Sequence, residues 1–124
     1  MIAGIGVDAV LISRIRKLSE TAINRIFHEK EISHLKTLKN AVSDVQNEYL
    51  ASRFAVKEAY AKARGLGFGS KISPNEICTE NNAEGQPYIV LYGKTLENAP
   101  KQKIHLSLTH EEPLAIAFVV LEEE

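Results

Sequence analysis

The chain has 124 residues and a formal net charge of −1, is 44% hydrophobic and 25% charged, and contains no tryptophan. Its pI near 6.4 lacks the basic excess that is typical of nucleic-acid-binding proteins, and its one cysteine excludes an intrachain disulfide. No segment approaches the roughly 18–20 apolar residues of a membrane span, so we expect one cytoplasmic domain over residues 1–124 that binds neither nucleic acid nor a membrane.

The first predicted element is a strand over residues 2–7. Strand alternation places apolar side chains on one of its faces, whereas the other face carries Gly4, Gly6 and then Asp8. Two glycines leave that face bare, so another backbone or a ligand can come close beside Asp8. The strand has no basic residues before it and reaches Asp8 too soon for a secretory signal peptide.

Three short helical patterns follow, over residues 11–18, 21–27 and 29–38. Basic residues outnumber acidic ones by seven to three between Ser13 and Lys39, whereas the last twenty residues contain no lysine or arginine. This uneven distribution is typical of a positive face that meets an acidic partner. It is equally typical of an ordinary solvated helix surface, and charge alone favours neither interpretation.

The clearest helical pattern begins at Ser43, a predicted N-cap with Gln46 three residues later, as in a capping box. Alanines recur through the pattern as far as Arg64, and they favour a helix. Gly65 is typical of the residue that follows a helix C-terminus. The pattern therefore predicts one long central helix.

Glu58 is the unusual residue of this helix. Its neighbours at three and four positions are mostly apolar: Phe54, Ala55, Ala61 and Lys62. Burying a carboxylate in such surroundings is costly without a cation. The alternative is a surface ion pair with Lys62, which contributes roughly 0.3–0.5 kcal/mol, and periodicity alone favours this alternative.

Asp8, taken alone, is typical of a cap on the helix that begins near Leu11. Together with Glu58 it forms a candidate Mg²⁺ site, because magnesium binds one or two carboxylates and takes its other ligands from water and substrate phosphates. Lys57 and Lys62 beside such a pair suit chemistry at a pyrophosphate. Spacing alone does not decide between the cap and the metal site.

The second half of the chain is rich in strand patterns. Four strands are predicted, over residues 76–80, 88–92, 104–109 and 114–121. Cys78 falls on the first of them, where we expect it to be a small buried hydrophobe. Helices followed by hairpins predict an α+β domain in which the long helix packs on a mainly antiparallel sheet.

The strand over residues 104–109 has a polar face formed by His105, Ser107 and Thr109. These side chains suit hydrogen bonding to a phosphate-rich ligand, or they are the solvent face of an antiparallel sheet. Neither His105 nor His110 has a spacing partner that indicates zinc. The chain also lacks the Gly-x-Ser-x-Gly motif of a serine hydrolase.

Four motifs occur in order along nearly the whole chain. They are Gly4-Ile5-Gly6-Val7-Asp8 with Ile12-x-Arg14-Ile15, then Phe54-Ala55-x-Lys57-Glu58-Ala59-x-x-Lys62-Ala63, then Gly85-x-Pro87, and last His105-x-Ser107-x-Thr109-His110. In this order they resemble the holo-acyl-carrier-protein synthase family, the small bacterial type of 4′-phosphopantetheinyl transferase. Leu11 and Thr109 depart from the family pattern, in which an acidic residue and a serine are frequent.

The resemblance implies a 4′-phosphopantetheinyl transferase-like fold and an enzyme that moves phosphopantetheine from coenzyme A to a serine of apo acyl carrier protein, for fatty acid biosynthesis. Asp8 and Glu58 match the family's Mg²⁺ ligands. Lys62 matches a lysine near the reacting phosphate, assigned either to phosphate stabilisation or to base chemistry. His105 and Ser107 match residues that border the coenzyme A site.

The resemblance also implies how the carrier docks and how the chains assemble. Arg14 matches an arginine that contacts the carrier, Phe54 lies near the same surface, and Arg25 is a further docking candidate. The resemblance implies a homotrimer with active sites between subunits, so some site residues are expected to act across an interface. Two alternatives are a Mg²⁺-dependent phosphohydrolase with the same carboxylates and a carrier-binding module without catalysis.

Overall fold

The computed structural model describes residues 1–38 and 44–124. Its strands are β1 Ile2–Leu11, β2 Ile77–Asn81, β3 Pro87–Leu91, β4 Gln102–Glu111 and β5 Leu114–Glu123. Its α-helices are α1 Ile12–Ile15, α2 Glu20–Ile26, α3 Glu29–Thr37, α4 Val45–Arg64 and α5 Gly93–Glu97, and a 3₁₀ helix, Pro74–Glu76, precedes β2. No helix within the described ranges has the length and apolar character needed to cross a bilayer.

The strands form two antiparallel sheets. The larger has the order β1-β5-β4, and the smaller is the hairpin of β2 and β3. In the larger sheet, Ala117 of β5 pairs with Asp8 on one side and with Leu108 on the other. β5 alternates between buried and exposed residues, because only one face of this sheet is covered.

Helix α4 covers the inner face of the larger sheet and comes close to the backbone of β1. A Cβ added to Gly4 would overlap the carbonyl oxygen of Ala63, and one added to Gly6 would overlap that of Ala59. The bare strand face that the sequence predicts is therefore filled by the backbone of α4. These alanines and the apolar residues of β5 form the centre of the core.

The predicted α+β fold, with a long helix on a mainly antiparallel sheet, is confirmed. Gly65 follows α4 with a φ of 68°, as predicted for the residue after its C-terminus. The predicted cap of this helix, Ser43, lies outside the described residues. Helix α5 is not predicted from the sequence, because five residues are too few to show a helical period.

The first strand is longer and the first helix shorter than predicted. β1 continues to Leu11, and α1 covers only Ile12–Ile15. Leu11 stands at the N-cap of α1 without a side-chain cap hydrogen bond, so the interpretation of Asp8 as a helix cap is wrong. Residues 8–11 pair with β5 instead. This long-range pairing outweighs the local helical spacing.

Candidate active site

The side chains of Asp8 and Lys62 meet where β1 lies against α4. The ammonium nitrogen of Lys62 is 2.8 Å from Asp8 Oδ1 and 3.0 Å from the carbonyl oxygen of Val7. The exposed fraction is 53% for the Lys62 side chain and 15% for that of Asp8. An ammonium group has three N–H donors, so Lys62 can still donate to a ligand that approaches from solvent.

Glu58 lies one turn before Lys62 on α4 and is half-buried. Burial raises the pKa of its carboxyl group, and the negative charge of Asp8 raises it further, whereas Lys62 and Arg14 lower it. Two carboxylates therefore share one partly desolvated site. The alternative prediction of a surface ion pair between Glu58 and Lys62 is wrong, because Lys62 pairs with Asp8 instead.

The donor set of this site suits a hard divalent cation. Over residues 1–38 and 44–124, no group of three or more histidine, cysteine, aspartate or glutamate side chains could hold a metal ion. Asp8 and Glu58 offer oxygen donors, and Mg²⁺ needs only one or two protein carboxylates when water and substrate phosphates complete its octahedron. A cation there would also stabilise the carboxylate of Glu58, whose ionised form is disfavoured by burial and by Asp8.

Two of the three predicted carrier-binding residues lie beside the carboxylates. The guanidinium carbon of Arg14, on α1, is 6.0 Å from the ring centroid of Phe54. Phe54 lies one turn before Glu58 on α4. Arg25 is exposed in the last turn of α2, on a separate helix. Arg14 and Phe54 therefore form the rim of the site, and Arg25 belongs to another surface element.

His105 and Ser107 lie on the opposite face of the larger sheet. Both are exposed, and His105 Nε2 is 3.0 Å from Glu122 Oε1. Their strand, β4, is separated from β1 by β5, and the Asp8 side chain points toward α4. Adjacent strands are about 4.8 Å apart. Within one copy of the chain, His105 and Ser107 therefore lie two strands away from Asp8 and on the other face of the sheet.

The same face exposes large apolar side chains. Its exposed apolar residues on β1 and β5 include Ile5 (61%), Val7 (55%), Phe118 (42%) and Ile116 (36%). Val7 pairs with Phe118, and Phe118 pairs with Ser107, so the apolar and polar residues are contiguous across three strands. We call this set, together with His105 and Ser107, the outer sheet face. Exposed apolar patches of this kind mark interaction surfaces.

Lys57 is not part of the candidate site. Its side chain is fully buried on another side of α4, and its Nζ is 2.6 Å from Oε1 of Glu31 on α3. Burial lowers the pKa of Lys57 more than Glu31 raises it. The prediction that Lys57 supplies a cation to the carboxylate pair is therefore wrong. The sequence could have indicated that Lys57 is buried, because it shares a helix face with the buried Leu50 and Tyr60.

The sequence also matches known proteins over nearly its whole length. Residues 4–119 match the model of the 4′-phosphopantetheinyl transferase superfamily. The chain is 43% identical to the holo-[acyl-carrier-protein] synthase of Ehrlichia chaffeensis, in an alignment that covers 100% of the chain and 99% of that protein. It is 44% identical to the protein of the same name from Anaplasma phagocytophilum, with 98% of each covered.

Solved structures of similarly named proteins share the fold. A holo-(acyl-carrier-protein) synthase from Bacillus anthracis, in complex with CoA (3′,5′-ADP), superposes with a TM-score of 0.86 at 36% identity and covers 100% of this chain and 99% of that one. The holo-[acyl-carrier-protein] synthase of Neisseria meningitidis also gives a TM-score of 0.86, at 34% identity, with 99% and 100% covered.

Proposed function

Because this chain belongs to the 4′-phosphopantetheinyl transferase superfamily, we propose that it transfers 4′-phosphopantetheine from coenzyme A to a serine of apo acyl carrier protein. The reaction releases adenosine 3′,5′-bisphosphate and gives holo-carrier for fatty acid biosynthesis in the cytoplasm. Residues 1–124 act as one domain. The observation that carries the proposal is that Asp8 and Lys62, from distant family motifs, form an ion pair, with Glu58 one helical turn before Lys62.

Asp8 and Glu58 are the proposed Mg²⁺ ligands. Their carboxylate oxygens would hold the ion, because Mg²⁺ needs only one or two protein carboxylates where substrate phosphates and water are present. Bound there, Mg²⁺ supplies charge stabilisation to the pyrophosphate and to the leaving group. The raised pKa of Glu58 supports this assignment, because it marks a carboxylate whose charge has too little compensation in the metal-free protein.

Lys62 is the proposed catalytic residue. In the transfer, the carrier's serine oxygen bonds to the β-phosphorus of coenzyme A, and the bridging P–O bond breaks. Adenosine 3′,5′-bisphosphate leaves with the bonding electrons, and the serine proton passes to a base. Lys62 is half exposed beside Asp8, so its ammonium can donate to a phosphate oxygen on which charge develops.

Arg14, Phe54 and Arg25 are proposed to dock the carrier. Arg14 and Phe54 lie at the rim of the site, where the serine of the carrier has to arrive. Arg25, exposed in the last turn of α2, would add a second cationic contact on a separate helix. Cations at such a rim attract an acidic carrier and orient it, and they act mainly on encounter rate and specificity.

The complete site is proposed to form between copies in a homotrimer. The outer sheet face exposes apolar side chains, so covering it with a second copy removes apolar area from water. His105 and Ser107 lie on this face and bind coenzyme A beside Asp8 of a neighbouring copy. Assembly would thus bring together residues that match a single site of the family but lie apart within one copy of the chain.

Mass spectrometry of an apo acyl carrier protein tests the proposal directly. After incubation with the chain, coenzyme A and Mg²⁺, the carrier should gain the mass of one phosphopantetheine group, with release of adenosine 3′,5′-bisphosphate. A chelator in a parallel sample tests the metal requirement. Consumption of coenzyme A without a carrier would indicate a phosphohydrolase instead, and an unchanged carrier would contradict the proposed function.

A further inference from the structure

Glu31 and Lys57 form an ion pair inside the protein, although they are 26 positions apart in the chain. Lys57 Nζ lies 2.6 Å from Glu31 Oε1, and neither side chain is exposed to solvent. The proposed reaction does not use either side chain directly. Replacing a buried ion pair by apolar residues of similar volume is often neutral or stabilising, so stability alone does not explain this pair.

Further hydrogen bonds hold both partners in place. Glu31 accepts one from the backbone N–H of His28, at 3.0 Å, and one from that of Thr79, at 3.1 Å. Lys57 donates a second hydrogen bond to the carbonyl oxygen of Ile77, at 2.5 Å. Charge-assisted hydrogen bonds are strong and directional. The pair therefore joins α3, α4 and β2 with bonds that fix direction as well as distance.

The side of α4 that faces β1 is held differently. There, two glycines of the strand lie against the helix backbone at two alanines, which fixes the separation but forms no side-chain hydrogen bond. The ion pair between Lys62 and Asp8 on that side belongs to the candidate site and is partly exposed. The buried pair is thus the more rigid constraint on how α4 is turned about its axis.

Lys57 immediately precedes Glu58. Consecutive residues of an α-helix are about 100° apart around its axis, so fixing the direction of one side chain fixes that of the next. We propose that Glu31, through its ion pair with Lys57, is a positioning residue that holds α4 in the rotation presenting Glu58 to the metal site beside Asp8. This inference rests on the proposed function, because it requires a metal bound at that site.

The double substitution Glu31→Gln with Lys57→Met tests the proposal. It removes both charges, while glutamine still accepts a backbone hydrogen bond and methionine fills the space of the lysine stem. We expect a folded protein with a lower melting midpoint, because glutamine pairs with one of the two backbone N–H groups that bond Glu31 and the carbonyl oxygen of Ile77 loses its partner. Calorimetry in the presence of coenzyme A should show Mg²⁺ affinity lower by on the order of tenfold or more. The kcat should fall while the KM for the carrier is kept, because the docking residues are unchanged.

A second measurement does not depend on turnover. In the metal-free double variant, the backbone amide signal of Glu58 should show exchange broadening that the wild type lacks, because α4 is free to turn. Lys57→Met alone should weaken Mg²⁺ binding as much as the double variant does, since members of a pair that acts as a unit are not additive. Additive losses in the two single variants, or an unbroadened amide of Glu58, would contradict the positioning role.

Val56→Ala is the matched control. Val56 is also fully buried on α4, but its side chain forms no directional bond. This variant should lose stability and keep its Mg²⁺ affinity. Wild-type Mg²⁺ affinity in the double variant, or an equal loss in Val56→Ala, overturns the proposal. Should the double variant not fold, Glu31→Asp keeps the charge of the pair and shortens its reach, and wild-type Mg²⁺ affinity with an unbroadened Glu58 amide in that variant would contradict the positioning role. A wild type that shows no Mg²⁺-dependent binding of coenzyme A contradicts the proposed function instead.

Discussion

The Lys62 ammonium pairs with the Asp8 carboxylate at 2.8 Å, although 54 positions separate the two residues. The pair forms because the glycines of β1 let the backbone of α4 come close to the strand. A larger side chain at either glycine would push the helix away and move Lys62 and Glu58 from Asp8. The geometry of the site therefore depends on a backbone contact that involves none of the proposed catalytic residues.

Gly6→Ala should accordingly destabilise the protein and lower its activity. The added methyl group would overlap the carbonyl oxygen of Ala59, and backbone cannot move aside as a flexible side chain can. Overpacking of this kind typically costs about 1–3 kcal/mol, occasionally more. Denaturant unfolding measures the cost. Gly67→Ala is the control, because nothing lies within 4 Å of a Cβ at Gly67, and it should stay within about 0.5 kcal/mol of the wild type.

Glu58→Gln should abolish transfer while the protein still folds. The substitution removes a proposed Mg²⁺ ligand. Mutating residues that only hydrogen-bond to metal ligands already costs about 10–100-fold in metal affinity or activity, so we expect activity to fall by more than about 100-fold. Burial and Asp8 raise the pKa of Glu58, which means that the fold disfavours its ionised form. The metal-free variant should thus be at least as stable as the wild type at neutral pH. Carrier mass and the melting midpoint are the measurements, and near-normal turnover would rule out the metal role.

Arg14→Glu should weaken carrier binding and leave coenzyme A binding unchanged. Arg14 lies at the rim with Phe54, so reversing its charge repels an acidic carrier without removing a metal ligand. Titration with the apo carrier, at low and at physiological salt, measures the loss, which should be larger at low salt. Lys101→Glu makes the same charge change at an exposed site elsewhere. Equal carrier affinities in the two variants would contradict the docking assignment.

Local sequence patterns predicted the helices and strands that bury one face and expose the other. Along β4, His105 and Ser107 are exposed and Leu106 packs against the core, as strand alternation requires. Local patterns were wrong about Asp8 and Glu58, which, taken one at a time, are typical of a helix cap and of a surface ion pair. The order of motifs along the whole chain, which marks a family, favoured a joint site for these two carboxylates over both local interpretations, and their role as metal ligands stays a prediction.

The spacing of residues in the sequence did not predict ion pairs between residues that are far apart in the chain. Lys57 is buried because Glu31 and the β2 backbone surround it, and a helical period does not reveal which elements cover a helix. For the same reason, the sequence did not show that Lys62 pairs with Asp8 and not with Glu58. Both pairs depend on long-range packing, which decides between side chains that local rules treat as equivalent.

Alkaline pH should reduce the contribution that Cys78 makes to the free energy of unfolding. Burial raises the pKa of this thiol to about 12, from an ordinary value near 9. The folded state thus holds the thiol proton more tightly than the unfolded state does, so the contribution is complete below about pH 9 and is lost as the pH rises toward 12. The difference in unfolding free energy between wild type and Cys78→Ala should shrink between about pH 8 and pH 10.5. A constant difference would contradict the raised pKa, and other titrating groups cancel in this comparison.

Mixing two inactive variants tests whether the active site lies between copies. In one copy of the chain, Glu58 and His105 lie on opposite faces of the larger sheet. If one copy supplies Glu58 and its neighbour supplies His105, trimers mixed from Glu58→Gln and His105→Ala chains contain some intact sites. With random exchange, about a quarter of the sites take both intact residues, so about that share of activity should return.

The matched mixture combines Asp8→Asn with Glu58→Gln. These two carboxylates come from the same copy, because the charge of Asp8 raises the pKa of Glu58 within one chain. Every site in that mixture lacks one metal ligand, whichever copies meet, so no activity should return. Recovery in the first mixture alone supports a site shared between copies. Recovery in neither, with subunit exchange verified by mass spectrometry, would show that His105 acts within its own chain or not at all.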